Sequence, residues 1–305
     1  MSVRLGVSPI AWANDDMPEL GAGTPVETIL AEAAEAGAEG IELGARFARD
    51  PQVLGPMLER AGLALIGGWW STRLLERTVE AEVEALQGHL ALLRALGAPV
   101  FIAAECTGAV HSDRAKSLSA RPRLVDSEWP QFGARLSALA LYLAERGLRF
   151  AYHFHLGTVV EDGADLARLL DATSDLVGLV VDTGHAALGG VDAVALIRSR
   201  PERVAHVHAK DIRSETAARV RADGRSFLDG VMAGMFTAPG DGDLDFDDLM
   251  TALADIRYRG WIVEEAEQDP GQADPSAYTR LGLATLEKAA MKAGLALTAP
   301  MERAR

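Results

Sequence analysis

Five of the seven histidines fall in three short segments, YHFHLGT, DTGH and AHVHAKD. Each segment follows or contains an apolar run and ends in polar groups. They supply His153 and His155, then Asp182 and His185, then His206, His208 and Lys210, while a fourth segment, WIVEEAE, adds Glu264, Glu265 and Glu267. Two earlier apolar runs end on Glu42 and Glu105. Imidazoles and carboxylates on separate rigid elements are what a divalent cation with nitrogen and oxygen donors needs. A cation would also offset the repulsion among carboxylates gathered away from water. With no thiolate in the set, Mn²⁺, Co²⁺, Mg²⁺ and Zn²⁺ all fit. The competing reading is a structural network in which these groups only pair with one another.

Alternation along a strand sharpens the assignment. His206, His208 and Lys210 share one face, and His208 is favoured as a ligand because it lies nearer the strand end than His206. Glu265 and Glu267 share a face, whereas Glu264 points away and is expected to pair with a helix charge. His153 and His155 also share a face, as a ligand and a substrate contact or as two substrate contacts. Asn14, Asp15 and Asp16 could bind polyol hydroxyls or form an ordinary Asx turn. Of Trp69 and Trp70, which point to opposite faces, at most one lines a pocket. His111 falls in a loop, and His89 lies within a helix, where it is expected to be solvated.

These groups need a scaffold, and the chain repeats one. A helical segment rich in Ala, Leu, Glu and Arg, a glycine, and a short apolar run recur at 30–44, 57–70, 92–105, 142–155 and 254–265. Glycine ends a helix in the left-handed conformation. The run after it reads as a strand buried on both faces. With RLGVSPI, DLVGLVVDTGH and RVAHVHAKD the count reaches eight strands. The expected fold is a single (β/α)8 TIM barrel over residues 1–305, since no Gly-rich phosphate loop follows the first strand as an open nucleotide-binding sheet would have. Long connections after strands four (107–130) and seven (213–246) should lie on the catalytic face and cover a site.

Composition excludes several classes. There are 44 acidic against 30 basic residues, a net charge of −14. No basic surplus is available for nucleic acid or an anionic membrane. A single cysteine, Cys106, rules out an internal disulfide and suits a cytoplasmic location. No apolar stretch is long enough to span a bilayer, and the N-terminus does not read as a signal peptide.

The segments VSPIAWANDDMPELG, YHFHLGTVVE, DTGH, HVHAKDIR, SFLDGVMAGMFTAPGDGDLDF and WIVEEAEQDP resemble the xylose isomerase-like barrels of the sugar phosphate isomerase/epimerase superfamily, and within it the inosose dehydratases. The resemblance implies a lyase that eliminates water from 2-keto-myo-inositol, or a related keto-polyol, in inositol catabolism. An isomerase or epimerase acting through the same enediolate is the alternative. It implies Mn²⁺ or Co²⁺ held by Asp182, His208 and Glu265. The usual strand-five Glu is absent. His153 stands in its neighbourhood, and Glu161 is the expected substitute. His155, His185, Lys210 and Glu267 become candidates for acid and base, in no fixed order. Asn14, Asp15, Asp16, Glu42, Trp69, Glu105, His153 and His206 become candidate substrate contacts. Members of the superfamily are often homo-oligomers.

Overall fold

The computed structural model describes residues 3–298. The ends of the expected 1–305 domain therefore lie outside the described residues. The barrel strands are β1 (Arg4–Val7), β2 (Gly40–Leu43), β3 (Ala64–Thr72), β4 (Val100–Glu105), β5 (Arg149–His153), β6 (Gly178–Asp182), β7 (Val204–Ala209) and β10 (Trp261–Glu264). Between the last two comes a short antiparallel ribbon, β8 (Asp211–Ile212) with β9 (Phe236–Thr237). The eight parallel strands close in the order β1-β10-β7-β6-β5-β4-β3-β2. This is the expected TIM barrel.

Local sequence explains the repeats. Gly62 ends the helix Pro51–Ala61 at φ 68°, a conformation that costs glycine nothing, and Leu63 leads directly into β3. Asp182 ends β6 and accepts a hydrogen bond from the backbone N–H of His185, capping the helix Thr183–Leu188. The DTGH spacing is thus a strand end, a cap and a first turn in four residues.

Most of the core lies between the barrel and the helix ring, with Phe101, Phe132, Leu136, Phe150 and Leu286 among its fully buried members. Smaller clusters, Val100–Ile102–Ala151–Val180–Ala205 and Ile66–Trp261–Val263, fill out the apolar packing. The two long connections, expected to lie on the catalytic face, also meet each other. Leu118 packs with Phe227, Leu228, Val231 and Phe236, together with Leu156 after β5. The backbone N–H of Leu118 also donates to the carbonyl of Arg225. No helix among the described residues is long and apolar enough to cross a membrane.

Candidate active site

Strand register assembles the site. Asp182 pairs with His208 across β6 and β7, and Val263 pairs with His208 across β10 and β7. One residue past β10, Glu265 reaches the same point. Side-chain atoms of His153, Asp182, His208 and Glu265 all fall within 4.8 Å of one another, and all four residues are buried. His153 Nε2 is 3.5 Å and His208 Nδ1 3.6 Å from Asp182 Oδ2, and His208 Nδ1 touches Glu265 Oε2. Glu42, His206 and His208 form a second convergence beside it.

The donor set fits a divalent cation. Asp182 Oδ2, His208 Nδ1 and Glu265 Oε2 are buried and lack any hydrogen-bond partner. Buried polar atoms are rarely left so, and three converging on one point are what a shared cation would satisfy. Asp182 spends its other oxygen on the cap of the following helix. His153 donates from Nδ1 to the Phe154 carbonyl at 2.9 Å, which leaves Nε2 bare and turned toward the cluster. Two nitrogens and two oxygens, with no sulfur, suit the harder divalent metals.

Beside the cluster lies a cavity of about 280 Å³, lined by His153, His155, His208, Glu42, Glu265, Glu267, Asp15, Asp16, Trp69 and others. Burial, and then the charges of Glu267 and Asp15, push the Asp16 carboxyl up to about 7. Burial, and after it the neighbouring His185, His111, His153 and Lys210, hold His155 well below the usual histidine range. Its Nδ1 donates to the Leu156 carbonyl at 2.7 Å, so Nε2 is the free acceptor. Lys210 is fully buried, with Nζ 2.9 Å from Glu267, 3.0 Å from Glu265 and 3.2 Å from His185 Nε2. Burial opposes its charge, but Glu265, Glu267 and Asp182 outweigh that and hold the ammonium.

Several expectations need correction. Glu161 stands apart from the cluster: it accepts from the Gly157 N–H and faces Arg121, which also pairs with Asp162 and Asp165. His153 occupies the fourth position instead. Glu105 turns back from the cavity because Thr72, Leu74 and Thr107 take both its oxygens. Asn14 closes an Asx turn, accepting from Asp16 and Met17, with its amide 3.5 Å from Glu267. His206 is fully buried against Glu42 and does not reach the cavity. His185 and Lys210 are likewise buried off the cavity wall. Glu264 points away from the site as expected, but it finds no helix charge. Its carboxyl packs on the helix Pro275–Lys292, with neither oxygen hydrogen-bonded. His89 is packed between Trp70 and Phe101 and not solvated. Trp69 lines the cavity, while Trp70 turns away to Glu82.

The site also contains residues that the sequence reading did not single out. Arg49 and Ser71 line the cavity. Phe227 and Phe236, from the long connection, cover His155 and His185, with ring centres 5.1–5.9 Å apart. Both fall in the segment 226–246 that carries the family resemblance, but nothing in its spacing assigned either ring to the site.

The comparisons agree with this geometry. The family model described as a xylose isomerase-like TIM barrel matches residues 30–289. The rhizopine catabolism protein MocC of Rhizobium meliloti is 44% identical over 298 residues, covering 98% of this chain and 92% of that protein. The inosose dehydratase of Erwinia tasmaniensis is 40% identical over 279 residues, covering 90% and 94%. A solved L-ribulose 3-epimerase superposes with a TM-score of 0.67 at 20% identity, covering 99% of each chain, which is a likeness of fold. This chain belongs to the xylose isomerase-like TIM barrel family.

Proposed function

We propose that this protein is a metal-dependent dehydratase that eliminates water from a cyclic keto-polyol, 2-keto-myo-inositol or a close relative, with Mn²⁺ or Co²⁺ as the metal. The inosose dehydratases among its relatives support the substrate class. One observation carries the reading: four metal-donor residues sit beside a cavity that also presents a neutral histidine, His155, and four further carboxylates, Asp15, Asp16, Glu42 and Glu267.

His153, Asp182, His208 and Glu265 would hold the cation. When bound, it supplies Lewis-acid polarisation of a ketone, which makes the adjacent C–H proton easier to remove. His155 Nε2, bare and uncharged, accepts that proton. Glu267, its carboxyl raised above the usual range by burial and by Glu265 despite Lys210, enters the step protonated and gives that proton to the hydroxyl on the next carbon as its C–O bond breaks, so the group leaves as water. Lys210, bonded to Glu267, then steadies the carboxylate charge, with His185 behind it. Each such transfer contributes about 10²–10⁴ in rate. Asp15, Asp16 and Ser71 are placed to bind hydroxyls, and the Trp69 ring offers an apolar face. Arg49 Nη2 donates to the carbonyls of Gly44 and Ala45, and five carboxylates, Asp15, Asp16, Glu42, Glu265 and Glu267, line the same cavity. That excess of acidic groups favours a neutral polyol over a sugar phosphate.

The test is to load the purified protein with Mn²⁺ or Co²⁺, supply 2-keto-myo-inositol and follow dione absorbance, with product NMR in D₂O. Water loss is expected, with kcat lowered about 10²–10⁴-fold in His155→Ala. Deuterium uptake with unchanged composition would identify an isomerase or epimerase instead. No turnover with any divalent metal would remove the assignment.

A further inference from the structure

Glu42 sits on β2, across the barrel from β7, and its carboxylate is nearly buried. One of its oxygens, Oε1, lies 2.7 Å from His206 Nε2 and 3.0 Å from His208 Nε2. His208 therefore faces three carboxylates at once. Nε2 looks to Glu42, and Nδ1 looks to Asp182 and Glu265. The ring can serve only one of the two convergences as a ligand through a given nitrogen.

We infer that Glu42 is a positioning residue that fixes His208 in the Nε2–H form and so presents its Nδ1 lone pair to the cation. A bare ring nitrogen 3.0 Å from a carboxylate oxygen would set lone pair against lone pair, so His208 Nε2 carries the proton and donates it. A neutral imidazole has one N–H, which leaves Nδ1 as the acceptor. The same geometry makes His206 an Nε2–H donor, and its Nδ1 has no hydrogen-bond partner. His208 Nδ1 lies against Glu265 Oε2 and 3.6 Å from Asp182 Oδ2, a close approach that a cation shared by these three donors would relieve. The second convergence of Glu42, His206 and His208 is then a hydrogen-bonded triad, not another cation site. Carboxylate–histidine–metal chains of this kind orient the ring and raise its basicity as a ligand. His206 Nε2 donates to the same Glu42 oxygen and so anchors the carboxylate in place.

This rests on the cation reading above. The experiment has two arms. In ¹⁵N-histidine-labelled protein loaded with Zn²⁺, long-range ¹H–¹⁵N correlation should show His208 with a protonated Nε2 and a metal-bound Nδ1. Co²⁺ titration should show affinity falling about 10–100-fold in Glu42→Gln and Glu42→Ala, with a shifted Co²⁺ visible band and unchanged far-UV circular dichroism. A His208 ring bound to metal through Nε2 overturns the inference, as do Co²⁺ affinities within threefold of wild type in both variants. Those outcomes leave the cation reading standing. Failure of the unmodified protein to bind either metal removes both. If Glu42→Ala does not fold, Glu42→Gln and the unmodified protein's spectrum still decide.

Discussion

His89 offers a quantitative check on the packing beneath the site. Its ring lies between Trp70 and Phe101, Nε2 donates to the Gly68 carbonyl at 3.3 Å, and burial holds its pKa at about 4 against 6.5 for a free side chain. The folded protein keeps His89 neutral while the unfolded chain takes up a proton below 6.5. Stability linked to His89 is therefore complete above pH 6.5, falls as pH drops toward 4, and changes no further below that. The gap of 6.5 to about 4, at about 1.4 kcal/mol per unit, is worth about 3 kcal/mol in full. About 2 kcal/mol of this is lost between pH 7 and pH 5. His89→Leu cannot take up that proton. On acidification from pH 7 to 5 the wild type should lose about 2 kcal/mol more than the variant, or roughly 3 °C more in Tm at about 1.6 °C per kcal/mol for a chain of 305 residues. Thermal melts of both proteins at the two pH values read this directly. Other titrating groups are common to both proteins and cancel. Equal Tm losses in the two would refute the argument, because His89 would then titrate as an exposed histidine does.

Two further outcomes are expected. His153→Ala should lower Co²⁺ affinity by at least tenfold, whereas Glu161→Gln should leave it within about threefold while weakening the Arg121 cluster, as metal titration and melts would show. A Cβ at Gly282 would come within 2.6 Å of Glu264 Cγ, so Gly282→Ala should cost about 1–3 kcal/mol. Chemical denaturation should recover most of that loss in Gly282→Ala with Glu264→Ala, and an additive double mutant would disprove the clash.

The repeated helix–glycine–strand pattern carried the barrel, because each element's period and stop signal is local. Strand ends in a barrel point to one mouth, which put Asp182, His208 and Glu265 among the groups expected to converge, and the family resemblance singled out these three. What stayed hidden depended on distances between segments remote in sequence. His153 rather than Glu161 completes the cluster because Arg121, from the connection after β4, draws Glu161 aside. Glu105 reads as a site residue from its place at a strand end, yet Thr72 at the end of β3 and the Leu74 N–H just beyond it take one of its oxygens, and the Thr107 N–H takes the other. Phe227 and Phe236 cover the histidines only because two long connections pack on each other. Residue type and spacing determined which chemistry was available. Tertiary packing decided which carboxylates keep their oxygens free for it, because a hydrogen bond from a distant segment can satisfy an oxygen that alternation alone leaves pointing at the site.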